Sequence, residues 1–471
     1  MKYLKLKYMT FLFASTLTFL IGSCGINNIE NQVPKPSNEK SELQKLYEES
    51  FNGKTIFIEG DTVVNQKDIQ LYKNALPVNF DALKNTNGTF KMVAIGGGIT
   101  TGARDGGLYR NGQLTSYPNL VSQQMGIEFK QALFIQNEAN GFGYRELAST
   151  TNGVPKYKAV SNNIALLKTS PITKLNPTEY EPLKIDNWAI PYTNFYGWGF
   201  DRFLFPQSFL DVSNPYKTRL FKETEQNPNI LYQILNSKFD FVIMESGFDD
   251  FLNAMLKGIA FSTSTSGNLS SPNYTKVIGY ASSNNAKAVM ATIPDVTELP
   301  ITKYISADDV RKLNKSEIFV RSTSDPKSEV TTVEAGSFFL PNSLSDSLKN
   351  SKIPISRKRG FSLDNPLLFE EVYTLKKIKL HQKILNEENN KIKSITKYPI
   401  VDLYSIFSKV NLNTFITDDN IRVNNQNFFS SDGIFPNAFG QAIIANEYIK
   451  VINEFYKSKI PLIPTAFYLN K

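Results

Sequence analysis

The sequence predicts a three-layer α/β/α fold, in which helices cover both faces of a parallel sheet. Short, continuously apolar runs alternate along the chain with longer stretches of helical spacing, a pattern typical of buried parallel strands joined by helices. A glycine turn follows the first run, as it does where α/β enzymes present a nucleophile or hold a phosphate. The expected strands are Met92–Ile95, Phe241–Met244, 288–293 and 400–403, and the expected helices are Tyr117–Met125, 229–236, 367–392 and 440–456.

Composition and charge exclude several classes of protein. The chain has 471 residues, 41% of them hydrophobic and 20% charged, which suffices to bury a core in one large domain with insertions or in two domains. The formal net charge is +8, but the basic residues are dispersed, so no nucleic-acid partner is expected. The single cysteine excludes a disulfide framework and a thiolate metal cluster. No cofactor is expected.

The N-terminal segment has the features of a lipoprotein signal. Residues 1–23 combine a lysine-bearing start with an apolar run at 9–21, which is typical of a secretory signal and short for a membrane-spanning helix. The run ends in Ile-Gly-Ser-Cys, which resembles a bacterial lipobox and implies cleavage before Cys24 and lipidation of that residue. The alternative is an ordinary cleaved signal with a chance cysteine. Several acyl chains, at about 0.8 kcal/mol per buried CH₂, would anchor the protein to the outer membrane, on its periplasmic or its surface face.

The rest of the chain divides into a tether and a main domain. Residues 24–88 are expected to form the lipid-anchored tether and an N-terminal extension, since their first half is rich in Asn, Glu, Pro, Ser and Lys. The main domain spans 89–460. Two stretches interrupt its pattern: a Ser-, Thr- and Gly-rich loop at 258–280, and a longer insertion at 297–365 that would form a lid near the carboxyl edge of the sheet.

The glycine turn and three later stretches share a family resemblance. The turn reads GGGIT at 96–100 and is followed by DGGLY at 105–109, and the later stretches read DNWAIPY at 186–192, ESGFDD at 245–250 and SDGIFPN at 431–437. Together they resemble the motif blocks of SGNH (GDSL-type) hydrolases, in a subgroup of Bacteroidetes-type lipoproteins. The resemblance covers roughly residues 89–456. It implies an SGNH-type, flavodoxin-like parallel sheet with lid-like insertions.

The resemblance also implies that the catalytic positions are substituted. Gly98 stands at the position of the serine nucleophile, and Tyr192 at that of an oxyanion-hole glycine. Asp249 replaces an oxyanion-hole asparagine, whose amide donor an ionised carboxylate cannot supply. Phe435 stands at the position of the histidine base, and only Asp432, which orients that histidine in the family, is kept. The rings of Tyr192 and Phe435 are expected to close the cleft.

Other residues offer little to replace these groups. Thr100, Thr101 and Ser246 lie in the motifs, but a hydroxyl needs an activating base to become a nucleophile. The one histidine, His381, lies in a Lys- and Glu-rich helical pattern and is expected to face solvent. Several acidic residues follow predicted strands, and separate helix caps and turns are a commoner role for them than a metal or amine site; they are Glu245, Asp249, Asp250, Asp295 and Asp432.

These observations favour a catalytically inactive SGNH hydrolase-like lipoprotein that acts as a scaffold or binding module. Two alternatives stay open: an esterase or acetylhydrolase with a rebuilt site, and a glycan-binding lipoprotein whose cleft is lined by Trp188, Phe195, Tyr196 and Trp198. Besides the membrane, the expected partner is an outer-membrane protein or a glycan.

Overall fold

The computed structural model describes the greater part of the expected main domain. The described residues are 56–58, 61–63, 78–85, 89–151, 154–165, 167–168, 174–175, 185–193, 216, 220, 230–245, 247–259, 272–395 and 397–469. The predicted signal, Cys24 and most of the tether therefore lie outside them, as does Ser246. No helix within these ranges is long and apolar enough to cross a bilayer.

The described residues alternate between strands and helices, as the sequence predicts, but a helix at Pro272–Ser283 replaces the last part of the loop that was expected at 258–280. The strands are β1 Ile56–Ile58, β2 Asp61–Val63, β3 Met92–Ile95, β4 Arg145–Thr151, β5 Val154–Ala159, β6 Leu167–Lys168, β7 Lys174–Leu175, β8 Phe241–Met244, β9 Lys287–Ala291, β10 Phe319–Arg321, β11 Val330–Thr332, β12 Ile400–Val401, β13 Phe415–Ile416 and β14 Arg422–Val423. The α-helices are α1 Gly98–Thr101, α2 Arg110–Leu114, α3 Tyr117–Met125, α4 Ile230–Asn236, α5 Phe248–Leu256, α6 Pro272–Ser283, α7 Pro300–Lys303, α8 Ala307–Asn314, α9 Ser343–Lys349, α10 Leu375–Ile395, α11 Leu403–Asn411, α12 Asn425–Phe428 and α13 Ala438–Tyr456.

A parallel sheet lies at the centre of the fold. Its strand order is β12-β9-β8-β3, and every neighbouring pair is parallel. A one-residue parallel bridge between Ala94 and Asn187 extends this sheet beyond β3, where Ala94 N donates to Asp186 O (2.8 Å) and Trp188 N donates to Ala94 O (2.9 Å). If this short segment is counted as a strand, the order across the sheet in chain sequence is 2-1-3-4-5. The structure therefore confirms a mixed α/β fold with a parallel sheet.

The central strands are buried along their whole length. Every residue of β3 and β8 is buried, as expected for continuously apolar strands in a parallel sheet. Helices α3 and α13 pack against each other, and so do α4 and α6. Helix α13 begins two residues before its predicted start, because the side chain of Asn437 accepts a hydrogen bond from Gly440 N (2.9 Å) and caps it.

The insertion at 297–365 has a small core of its own. It contains α7, α8, α9 and the β10–β11 hairpin, and its buried apolar side chains form a second cluster with Val154 of β5. The predicted helix at 367–392 starts later, at Leu375, because Leu367 pairs with Phe319 and Arg321 of β10. The insertion also contacts the turn before α13, where Ile301 N donates to Gly433 O (3.1 Å).

Candidate functional site

The glycine turn after β3 points backbone N–H groups at two buried carboxylates. Gly97 N donates to Glu245 Oε2 (3.1 Å), and Gly98 N donates to both carboxylate oxygens of Asp249 (3.1 and 2.9 Å). Glu245 directly follows β8, and Asp249 lies in the first turn of α5. Because β3 and β8 are parallel neighbours in register, their carboxyl ends meet and bring both side chains to the turn.

A second segment also donates to Asp249. Tyr192 N donates to Asp249 Oδ2 (2.5 Å), and Asn253 Nδ2, one turn further along α5, donates to Tyr192 O (2.9 Å). The Asp249 carboxylate thus accepts from the N–H groups of Gly98 and Tyr192. Converging backbone N–H groups of this kind stabilise the oxyanion of acyl-transfer reactions. Here the two N–H groups converge on a side chain of the protein itself.

Burial controls the protonation of this carboxylate pair. Asp249 and Glu245 are 2% and 1% exposed. Burial raises the pKa of Asp249 well above its ordinary value, Glu245 raises it further, and the N–H groups of Gly98 and Tyr192 oppose the rise. Burial also raises the pKa of Glu245. Burial therefore makes negative charge costly at this position. A substrate oxyanion beside Asp249 would bear the same cost.

Phe435 occupies the space that a nucleophile on residue 98 would need. Its ring is fully buried. A Cβ atom built on Gly98 would lie 2.2 Å from Phe435 Cε1 and 2.4 Å from Cζ, far inside van der Waals contact. The ring packs edge-on against Tyr192, with centroids 5.6 Å apart, and at a tilt against Phe248, with centroids 6.0 Å apart. The two rings named from the sequence thus meet beside Gly98.

The backbone at Tyr192 has a conformation that favours glycine. Its φ angle is +59°, in the left-handed region, which costs a non-glycine residue roughly 1–2 kcal/mol. The half-buried ring packs against Phe435 and lies 6.4 Å from the ring of Tyr216. Ring packing therefore offsets a backbone cost that a glycine at this position would avoid.

Asp432 is buried and bonded to its own turn. Its Oδ1 accepts from Ser430 Oγ (2.8 Å), Ile434 N (2.8 Å) and Phe435 N (3.1 Å), and its Oδ2 accepts from Gly106 N (3.0 Å). A carboxylate that orients a histidine would accept from an imidazole N–H instead. The role of Asp432 here is to hold the turn that presents the Phe435 ring.

His381 is buried, which corrects the expectation that it faces solvent. It has no exposed surface, its Nδ1 shares a hydrogen bond of 3.0 Å with the Tyr373 hydroxyl, and its ring lies 4.8 Å from that of Phe251. Burial lowers its pKa to about 3. The sequence contained a signal for this, since Ile384 and Leu385 follow at the helical spacing that places all three side chains on one face. The side chains that accept hydrogen bonds from Gly97 N and Gly98 N are those of Glu245 and Asp249, not that of this histidine.

The expected aromatic lining of a glycan cleft is not seen in the described residues. Trp188 is 1% exposed and packs in the main core, which corrects its assignment to a cleft wall, and Phe195, Tyr196 and Trp198 lie outside the described residues. A cavity of about 20 Å³ beside the turn has room for about one water. Its polar lining comes from Thr101, Gln113, Gln131 and Asn187.

The hydroxyl next to Gly98 is held in a buried network that the sequence did not predict. Thr100 Oγ1 donates to Glu245 Oε2 (3.2 Å) and shares a hydrogen bond with Tyr117 Oη (3.1 Å). The Tyr117 ring stacks on that of Tyr448, with centroids 4.6 Å apart. Helical spacing in α3 and α13 could have placed these tyrosines toward the sheet, but not in a network that reaches Glu245 through Thr100.

Two of the acidic residues named from the sequence converge. Glu245 and Asp249 meet at the glycine turn, which corrects the expectation of separate caps and turns for this pair, whereas Asp295 caps a turn elsewhere by accepting from Thr297 N (2.8 Å). Among the described residues, no group of three or more His, Cys, Asp or Glu side chains is arranged to hold a metal ion. No protein-family model matches the chain, and no curated protein matches it.

Proposed function

We propose that this chain is a catalytically inactive, SGNH hydrolase-like lipoprotein of the cell envelope, anchored through Cys24 and acting as a scaffold or binding module. The observation on which the proposal mainly rests is the Asp249 carboxylate, which accepts hydrogen bonds from Gly98 N and Tyr192 N. In an active acyl-transfer site these donors would be free for the oxyanion. A hole filled by a carboxylate cannot serve that purpose.

The second support is the loss of the nucleophile and of the space for it. A glycine has no side chain to attack a carbonyl, and the Phe435 ring excludes even a Cβ atom at residue 98. Loss of a triad serine or histidine alone costs on the order of 10⁶ in turnover, and each lost oxyanion donor costs on the order of 10²–10³. Turnover by the family's chemistry would therefore be negligible.

The arrangement of the sheet supports the SGNH-type assignment. The order 2-1-3-4-5, with the short segment at Asn187 as the second strand, is the flavodoxin-like order. Right-handed crossovers would place the α3–α13 pair and the α4–α6 pair on opposite faces of the sheet. Such a three-layer arrangement brings the carboxyl ends of the strands to one edge, where the glycine turn and Asp249 lie.

An esterase assay tests the proposal. The full-length chain should not hydrolyse p-nitrophenyl acetate or acetylated xylan above the rate in buffer. Thr100→Val and Thr101→Val each remove a hydroxyl beside Gly98 at nearly constant volume. Turnover that persists through purification and disappears in either variant would refute inactivity and favour an esterase with a rebuilt site.

A further inference from the structure

The end of α5 and the start of α10 together form a face on which exposed aliphatic side chains mix with lysines. Lys377 joins the segments, since its buried Nζ donates to the carbonyl oxygens of Gly258 (2.9 Å), Val372 (2.9 Å) and Phe369. Its Nζ also lies 3.6 Å from the centroid of the Phe369 ring. These bonds hold the end of α5 and the segment 369–372 to the start of α10.

Four exposed aliphatic side chains lie within three residues of Lys377 or of the residues whose carbonyl groups it binds. They are Leu256 (37% exposed), Ile259 (44%), Leu368 (42%) and Leu380 (39%). Exposed lysines lie among them, at positions 257, 376, 379 and 383. Residues 376, 379, 380 and 383 share one face of α10, because they are spaced at three or four residues. We call this set the Leu–Lys face.

The charge of the Leu–Lys face is positive. Three carboxylates reach this part of the molecule: Glu334, whose Oε2 accepts from Lys376 N (3.1 Å), Glu370, whose Oε1 accepts from Ser324 Oγ, and Glu371, whose Oε2 accepts from Leu368 N (2.7 Å). Glu371 is paired with Arg359 (2.8 Å), so the four exposed lysines outnumber the two carboxylates that remain. In the described part of the chain, none of these four is in a salt bridge.

We propose that the Leu–Lys face rests on an anionic phospholipid surface. Aliphatic side chains that reach the acyl boundary, surrounded by lysines that meet headgroup phosphates, are the composition of an interfacial membrane site. Protein interfaces are instead enriched in aromatic residues, Met and Arg and depleted in Lys, so a protein partner fits this face less well. This contact is independent of lipidation at Cys24 and would set the orientation of the domain on the bilayer.

Site-specific fluorescence tests the proposal. Because Cys24 is the only cysteine, a full-length chain with Cys24→Ser and Leu380→Cys takes one environment-sensitive nitrobenzoxadiazole label on the face. The matched control carries its label at Leu412→Cys, which is 69% exposed in the loop after α11. Both chains keep the apolar run at 9–21, so any insertion of that run into vesicles affects the two labels alike.

The expected result is a blue shift and a rise in emission at position 380, but not at 412, on vesicles of phosphatidylglycerol and phosphatidylcholine. Vesicles of phosphatidylcholine alone should give no change. Each lysine near an anionic surface strengthens binding by about fivefold, so Lys379→Glu with Lys383→Glu should weaken the response by roughly 25-fold or more. Higher salt should weaken it as well.

Three outcomes would overturn the proposal. One is an unchanged emission at 380 with anionic vesicles, and another is an equal response at 380 and 412. The third is a blue shift at 380 that grows with protein concentration in the absence of lipid, which would make the face an interface between copies of this chain.

Discussion

A double-mutant cycle between Gly98 and Phe435 measures how tightly the Phe435 ring fills the space beside Gly98. Phe435→Ala removes a fully buried ring and should lower the free energy of unfolding by about 3–5 kcal/mol. Gly98→Ala introduces a Cβ atom 2.2 Å from Phe435 Cε1. The ring or the turn must then move, and such overpacking costs about 1–3 kcal/mol.

The two changes should not be additive. In the Phe435→Ala background the new methyl group at residue 98 meets no ring, so the overpacking cost of Gly98→Ala disappears. The double variant should therefore be no less stable than Phe435→Ala alone. The coupling energy between the two positions should be at least about 1–3 kcal/mol.

Urea unfolding followed by circular dichroism provides the measurement. Gly279→Ala is the matched control, since Gly279 lies in α6 and a Cβ there meets nothing within 4 Å. Gly279→Ala should be neutral or slightly stabilising both in the unchanged protein and in the Phe435→Ala variant. If the effects of Gly98→Ala and Phe435→Ala add to within about 0.5 kcal/mol, the two residues are not in contact and the account of the filled site is wrong.

Three further predictions concern the buried carboxylate, the histidine and the anchor. Asp249→Ala should lower the free energy of unfolding by about 2–4 kcal/mol, because the N–H groups of Gly98 and Tyr192 lose their acceptor; an unchanged urea midpoint would contradict this bonding. The unfolded chain protonates His381 near pH 6.5 and the folded chain only near pH 3, so stability should fall as the pH drops below 6.5, with a share of up to about 1.4 kcal/mol per pH unit from this group. Urea midpoints between pH 7 and 4 should fall less steeply in His381→Gln, and parallel curves would refute the assignment. Cys24→Ser should release the protein from the membrane fraction of expressing cells, and a variant that stays membrane-bound would disprove lipid anchoring.

Continuous apolar runs made the central strands predictable from sequence. Met92–Ile95 and Phe241–Met244 form strands with the expected bounds, because a run that is apolar at every position suits burial on both faces of a parallel sheet. The helix of 367–392 was placed eight residues too early, since Leu367 pairs with β10 in the inserted lobe. Such a pairing between distant segments leaves no local periodicity to detect.

The residues of the candidate site were also singled out from sequence alone. Gly98, Tyr192, Asp249 and Phe435 were all named there, and the sequence already shows that Gly98 has no hydroxyl and that Asp249 has no amide. The sequence also shows that residue 435 carries a large apolar ring, and closure of the expected cleft was predicted on that basis.

The tertiary structure decided what these residues do to one another. Asp249 is 151 residues from Gly98 and 57 from Tyr192, and only the alignment of β3 with β8 and the approach of the Tyr192 segment place its carboxylate between the two N–H groups. Helical spacing with Ile384 and Leu385 indicates the buried face of His381, but its partners, Phe251 and Tyr373, were decided by the packing of α10. Local sequence specifies which groups are present, but hydrogen bonds and burial depend on distances between segments that are far apart in the chain.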